Sequence, residues 1–274
     1  MLIDCGEGTQ LLMRKHQVKI SKINIIVISH LHGDHYYGLI GLLSTLHLFG
    51  RRKDLTLIGP PGLLEVLSLQ LKYSETTLNF KINFTEWVPG TVSLVFDHTK
   101  FTITTIPLEH RVPCAGYLFQ EKPKKRRIDK LKLPDKLPPA DIYKLKCGED
   151  LTDDEGNVLH KNADVTLAPL RSLSYAFCSD TRYKPELVEN IKGVDLLYHE
   201  ATFTSEMERR AKDTFHSTAR QAATIARDAE VGKLLIGHFS TRYRNLEPVL
   251  DEALEVFEQT SLAEEGHIFE IDDQ

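Results

Sequence analysis

The chain has 274 residues, four cysteines and a net charge of −5, a length that allows one large α/β domain or two small ones without disulfide support. Cys5, Cys114, Cys147 and Cys178 form no CxxC pair and no regular spacing, which excludes a zinc ribbon and a secreted disulfide framework. No apolar run reaches the length of a membrane span and no signal-peptide pattern opens the chain, so a cytoplasmic protein without membrane contact is expected.

Short apolar runs alternate with helical patterns through most of the sequence, the signature of an α/β fold. Residues 23–28 read as a buried, β-branched strand, and residues 55–58 as another, stopped by Gly59-Pro60-Pro61-Gly62. Residues 63–71 have helical periodicity. Residues 80–87, 93–96 and 101–106 alternate as strands, with a hairpin turn at residues 97–100. Further strands are expected at residues 115–119, 175–178, 195–198 and 233–236, and helices at residues 202–212, 218–229 and 246–258, with Ser217 as N-cap of the second helix.

Residues 121–164 break the pattern. They hold four of the twelve prolines and few periodic apolar positions, and read as an insertion that leaves the body of the domain. Within it, residues 122–146 carry ten Lys or Arg against three Asp, a local charge of +7, so the remainder of the chain sums to −12. A basic stripe of this kind steers a polyanion even when the whole molecule is acidic.

The strongest chemical signal is His30-Leu31-His32-Gly33-Asp34-His35, directly after the strand at residues 23–28. Zinc takes imidazole nitrogen and carboxylate oxygen, and a catalytic site keeps one position open. Four such ligands in six residues, at the carboxyl end of a strand where α/β sheets place their ligands, point to a metal centre rather than a histidine-rich loop. His30 and His32 can converge on one ion and Asp34 and His35 on a second, while Gly33 lets the backbone pass close to the metals. Six residues cannot complete two ions. His110, Asp180 and His238 each follow the end of an apolar strand and are the candidates for the rest.

These residues resemble the metallo-β-lactamase superfamily, and within it the ribonuclease Z family, over nearly the whole chain. The resemblance is carried by Leu2-Ile3-Asp4-Cys5-Gly6-Glu7-Gly8-Thr9, by the histidine run, and by Phe177-Cys178-Ser179-Asp180-Thr181-Arg182. His199-Glu200-Ala201-Thr202-Phe203, His216-Ser217-Thr218-Ala219 and Gly237-His238-Phe239-Ser240 add to it. It implies an αββα sandwich with two Zn2+ per subunit at one edge. His30, His32 and His110 would hold the first ion, Asp34, His35 and His238 the second, and Asp180 would bridge them. Asp34 would also accept a proton, and His216, oriented by Glu200, would act at the phosphate or leaving group. His199 is expected to be structural, and His16, His47, His98, His160 and His267 match no motif.

The implied activity is removal of the 3′ trailer from precursor tRNA by a homodimer, with the inserted arm gripping the tRNA body through Lys122, Lys124, Lys125, Arg126 and Arg127. Relatives carry Pro-Pro-Gly-Pro at the arm's tip where this chain has Pro138-Pro139-Ala140-Asp141. The resemblance also places about two strands ahead of Leu2, so the sheet is expected to lack its first N-terminal strands, with an exposed edge. A general phosphodiesterase and a non-catalytic RNA-binding remnant are the rival functions.

Overall fold

The computed structural model describes residues 1–133 and 137–271; residues 134–136, within the basic segment, lie outside it. Two sheets form the body. The first is parallel, in the order β1 (Leu2–Ile3), β2 (Ile25–Val27), β3 (Leu55–Gly59), β4 (Ile82–Glu86). The second continues the chain with β5 (Leu94–Asp97), β6 (Phe101–Pro107) and β7 (Ala115–Glu121), paired antiparallel, so that residues 97–100 turn a hairpin as expected.

Beyond the inserted segment, with its short strands β8 (Arg127–Ile128), β9 (Leu151–Thr152), β10 (Val158–His160) and β11 (Thr166–Leu167), the second sheet resumes. It adds β12 (Ser174–Cys178), β13 (Leu196–Glu200), β14 (Lys233–Gly237) and β15 (Thr260–Leu262), giving the order β15-β14-β13-β12-β7-β6-β5.

Period-two burial explains the layering. Ile26, Ile28, Leu55 and Leu57 face outward onto helices α1 (Thr9–Lys15), α3 (Leu39–Leu48) and α4 (Leu63–Tyr73), whereas Val27 and Ile58 face inward. Inward they meet Trp87 at the end of β4 and Ile103, Ala115 and Tyr117 of the second sheet. The outer face of the second sheet packs Ala176, Leu197, Leu234 and Ile236 under α7 (Leu187–Ile191), α9 (Ala219–Asp228) and α10 (Glu247–Leu254). The result is the αββα sandwich.

Between the sheets the Tyr117 hydroxyl donates to the Ile28 carbonyl at 2.5 Å and accepts from Trp87 Nε1 at 2.9 Å. This buried relay clamps the end of β2, the strand that delivers the histidine run, to the second sheet.

Several elements differ from expectation. Helix α3 was not expected because its sequence is nearly all apolar, which masks its periodicity; it buries Leu39, Leu42, Leu43 and Leu46 on one face. The helix expected from residue 202 starts as a 3-10 turn at Ser205–Met207 and continues as α8 (Glu208–Thr214). Phe203 is held instead in a bridge to Thr218.

Thr218, not Ser217, caps α9: its hydroxyl accepts from the Gln221 amide and Gln221 returns the bond, a complete capping box. Ser217 is buried, its hydroxyl donating to the Thr181 carbonyl at 2.8 Å. The inserted segment is also more ordered than its prolines suggest. Among its described residues, α5 (Pro139–Cys147) and α6 (Asn162–Val165) join the strand pairs β9–β10 and β8–β11 around a small core of Leu145, Leu151 and Val165.

Candidate metal centre

The histidine run turns off β2 into a short helix, α2 (Gly33–Tyr36). A second loop, residues 4–8, grips it. The Cys5 amide donates to the His35 carbonyl at 2.7 Å, and the Gly38 amide to the Cys5 carbonyl at 2.9 Å. This approach requires glycine: a Cβ on Gly6 would lie 1.9 Å from the Asp34 carbonyl oxygen, and one on Gly38 would lie 2.1 Å from that of Gly6. At Gly33 a Cβ would meet the ring of the exposed Tyr37 at 2.3 Å.

All seven expected ligands converge where the strand ends of the two sheets meet. His30, His32, His110 and Asp180 present ligand atoms within 4.8 Å of one another, and Asp34, His35 and His238 form a second such group. Asp180 joins them. Its Oδ2 lies 3.7 Å from His30 Nε2 and 3.8 Å from His110 Nε2, while its Oδ1 lies 3.5 Å from His35 Nε2 and 3.3 Å from His238 Nε2. Asp34 Oδ2 stands 3.5 Å from His35 Nε2 and 3.6 Å from His238 Nε2. These separations are close to the edge of a tetrahedron about 2.0–2.1 Å from its centre, the reach of zinc to nitrogen or oxygen. Each group draws ligands from both sheets.

The donor set is built for cations. His30 Nε2, His35 Nε2 and Asp180 Oδ1 are buried with no hydrogen-bond partner among the described residues, a costly state unless an ion satisfies them. Burial, reinforced by His35, pushes His30 down to about 2, leaving its ring neutral and able to ligate. Burial also lowers His32 and His110. For His35 burial acts the same way, but the carboxylates of Asp180, Asp34 and Asp4 outweigh it and push the ring up to about 12. His238 holds Asp34 below the usual carboxylate range, with His35 adding to the effect. Asp34 and Asp180 together with the orphaned imidazole nitrogens offer the mixed nitrogen and oxygen donor set a divalent cation takes, and the residues fit a metal.

A supporting layer fixes each ring. Asp4, which no ligand pattern in the sequence marks, accepts from His35 Nδ1 at 2.7 Å and from the Ser29 amide and hydroxyl at 2.7 and 2.8 Å. His110 Nδ1 donates to the Phe215 carbonyl at 2.9 Å. Thr202 Oγ1, also missed, lies 2.9 Å from His238 Nδ1 and donates to Glu200 Oε2 at 2.7 Å. Asp4, Phe215 and His238 all adopt left-handed backbone, with φ of 53, 60 and 59°, a conformation costing about 1–3 kcal/mol for a residue other than glycine. Removing the Asp4 carboxylate, as in Asp4→Ala, is expected to weaken metal affinity about 10–100-fold, the usual cost of a lost outer partner. Titration with a metal-competing chromophore measures it.

His216 belongs to neither of these two groups but forms a third with Asp180 and His238, their ligand atoms within 4.8 Å of one another, and its ring lies 5.2 Å from His110 and 5.3 Å from His238. Its Nδ1 lies 2.8 Å from Glu200 Oε1. Glu200 is fully buried and also accepts from the amides of Thr181 and Thr202. His199 is buried, with Nδ1 donating to the Glu200 carbonyl at 2.7 Å.

The basic run lies at the root of the inserted segment. Lys122 pairs with Asp97, Lys124 with Glu121 at 2.7 Å, and Arg126 donates to Thr166 Oγ1 at 2.6 Å. Lys125 and Arg127 are exposed, Lys125 lying 3.4 Å from the centre of the Tyr143 ring.

An αββα sandwich with a histidine and aspartate cluster across its sheet ends defines a hydrolase of the metallo-β-lactamase fold. The profile of the beta-lactamase superfamily domain matches residues 1–128. The metallo-beta-lactamase fold protein YhfI of Bacillus subtilis shares the architecture, with a TM-score of 0.65 at 19% identity over 98% of this chain and 87% of that one. More narrowly, ribonuclease Z of Cytophaga hutchinsonii is 48% identical over 273 residues, covering 100% of this chain and 87% of the relative. The short form of human tRNase Z superposes with a TM-score of 0.70 at 26% identity, over 98% of this chain and 87% of that one. The chain belongs to the ribonuclease Z family.

Proposed function

We propose that this chain is a zinc-dependent endoribonuclease that removes the 3′ trailer from precursor tRNA, leaving a 3′-hydroxyl on the tRNA and a 5′-phosphate on the trailer. The observation that carries the reading is Asp180, whose two oxygens face two separate groups of histidines. His30, His32 and His110 would hold one ion, and Asp34, His35 and His238 the other, with Asp180 between. Bound there, the two ions supply a nucleophilic water near neutral pH and neutralise charge on the phosphoryl oxygens.

The chain's own groups do the remainder. Asp34, with 67% of its side chain exposed and held ionised, is the group that would accept the water's proton. Glu200 fixes Nδ1 of His216, which leaves Nε2 to deliver a proton to the departing 3′ oxygen. The buried Glu200 carboxylate behind the imidazole orients the ring. Lys125 and Arg127 of the arm draw in the tRNA backbone, and a homodimer in the cytoplasm lets one subunit's arm serve the other's centre.

Incubating the zinc-loaded protein with a 3′-extended precursor tRNA tests the reading. Cleavage at the end of the acceptor stem is expected, lost with chelator and restored by zinc; intact precursor in all three conditions would overturn it. A general phosphodiesterase would not need the arm. Deleting residues 122–146 would remove Ile128, Leu133 and Leu145 from the arm's own core, so Lys125→Ala combined with Arg127→Ala is the cleaner variant. It is expected to lower the slope of log kcat/KM against log salt by about 1–2, the loss of one or two phosphate contacts. An unaltered slope would remove these two residues from the RNA interface.

A further inference from the structure

A cleft of about 430 Å³ is lined by His216 together with Arg182, Lys184 and Lys212. That volume falls in the ~300–1,000 Å³ range of small-ligand sites. Arg182 forms part of its wall in an unusual state. Its guanidinium carbon lies 4.1 Å from the centre of the Phe215 ring, and its Nη1 pairs with Glu109 at 3.1 Å. Its Nε is buried with no hydrogen-bond partner among the described residues. The stack is coupled to the metal centre, because the Phe215 carbonyl holds His110, and Glu109, which precedes His110, accepts at its backbone carbonyl from the Arg182 amide at 3.0 Å.

The lining charges balance, Arg182, Lys184 and Lys212 against Glu109, Glu186 and Glu208. Lys184 is committed to the Pro107 carbonyl at 2.8 Å, and Glu208 to Gln221. A balanced, polar cleft with one preorganised guanidinium suits a ligand of a single negative charge and many neutral donors and acceptors. One nucleotide of an RNA chain has that chemistry, whereas a polyphosphate would face three carboxylates.

Which nucleotide follows from His216, on the proposed reading that this side chain protonates the departing 3′ oxygen. The ribose carrying that oxygen must then lie against His216, which lines the cleft. We propose that the cleft seats the last nucleotide retained on the tRNA, with Arg182 donating to the phosphate on that nucleotide's 5′ side. The subsite registers the cut: it fixes the 3′ oxygen against His216 by holding the next phosphate upstream.

The test is cleavage of three zinc-dependent substrates by wild type and Arg182→Met. One precursor has natural linkages. The second carries a neutral methylphosphonate at the proposed phosphate, and the third carries it one linkage further upstream. Arg182→Met is expected to slow the natural substrate and the third about 30-fold, as for loss of one charge-assisted hydrogen bond. On the second substrate it should cost less than about 3-fold, because the partner charge is already gone. Equal losses on all three would mean that Arg182 only supports the fold or the metal centre, and would overturn the subsite. Should Arg182→Met not fold, Arg182→Lys read on the same substrates carries the same criterion. Failure of zinc-loaded wild type to cut any of the three would overturn the function reading together with the subsite.

Discussion

Asp180→Ala is expected to lose metal and activity together: fewer than two zinc ions per chain after dialysis and at least about a 10³-fold fall in precursor cleavage. Its side chain is 4% exposed and stands between four imidazoles. Alanine removes the only group among the described residues that faces both ligand sets, so neither set retains a full complement of donors. The size of the effect follows from the several kcal/mol of charge stabilisation a metal centre supplies, each 1.4 kcal/mol being tenfold in rate. Metal analysis beside cleavage assays checks it. Full zinc occupancy in this variant would contradict the bridging assignment.

His216→Ala is expected to behave in the opposite way, retaining both ions and slowing cleavage by about 10²–10⁴, the range for a lost general acid. The ring neighbours Asp180 and His238, but its Nδ1 is taken by Glu200 at 2.8 Å, and the two ligand groups, seven residues in all, are complete without it. Protonation of the leaving oxygen adds a sharper criterion. A small phosphodiester with an acidic phenol as leaving group needs no proton, so the variant should lose far less on it than on precursor tRNA. Equal losses on both, or loss of zinc, would place His216 among the residues that build the centre.

Much of this centre is legible in the chain because ligand chemistry is sparse and strand ends are recognisable. His30, His32, Asp34 and His35 advertise themselves by density, and His110, Asp180 and His238 by their place after apolar strands. The supporting layer is not. Asp4 and Thr202 are ordinary polar residues until folding brings residues 4–8 against the histidine loop and turns Thr202 between Glu200 and His238. The same holds for Ser217 and Thr218, which offer equivalent caps in sequence. Tertiary contact decides between them by occupying the first with the Thr181 carbonyl. The inserted segment hid its order because a core of three buried residues leaves almost no periodic trace.

The ligands are divided between the sheets: four come from the end of β2 in one, three from the ends of β6, β12 and β14 in the other. Neither half can bind an ion well alone. Metal affinity and docking of the halves are therefore one linked equilibrium, in which a bound metal would behave as a removable cross-link. Tyr117, reaching from β7 to the Ile28 carbonyl, holds the same seam by hydrogen bonding. A substitution that loosens the sheets far from the site would surface first as a demand for more metal.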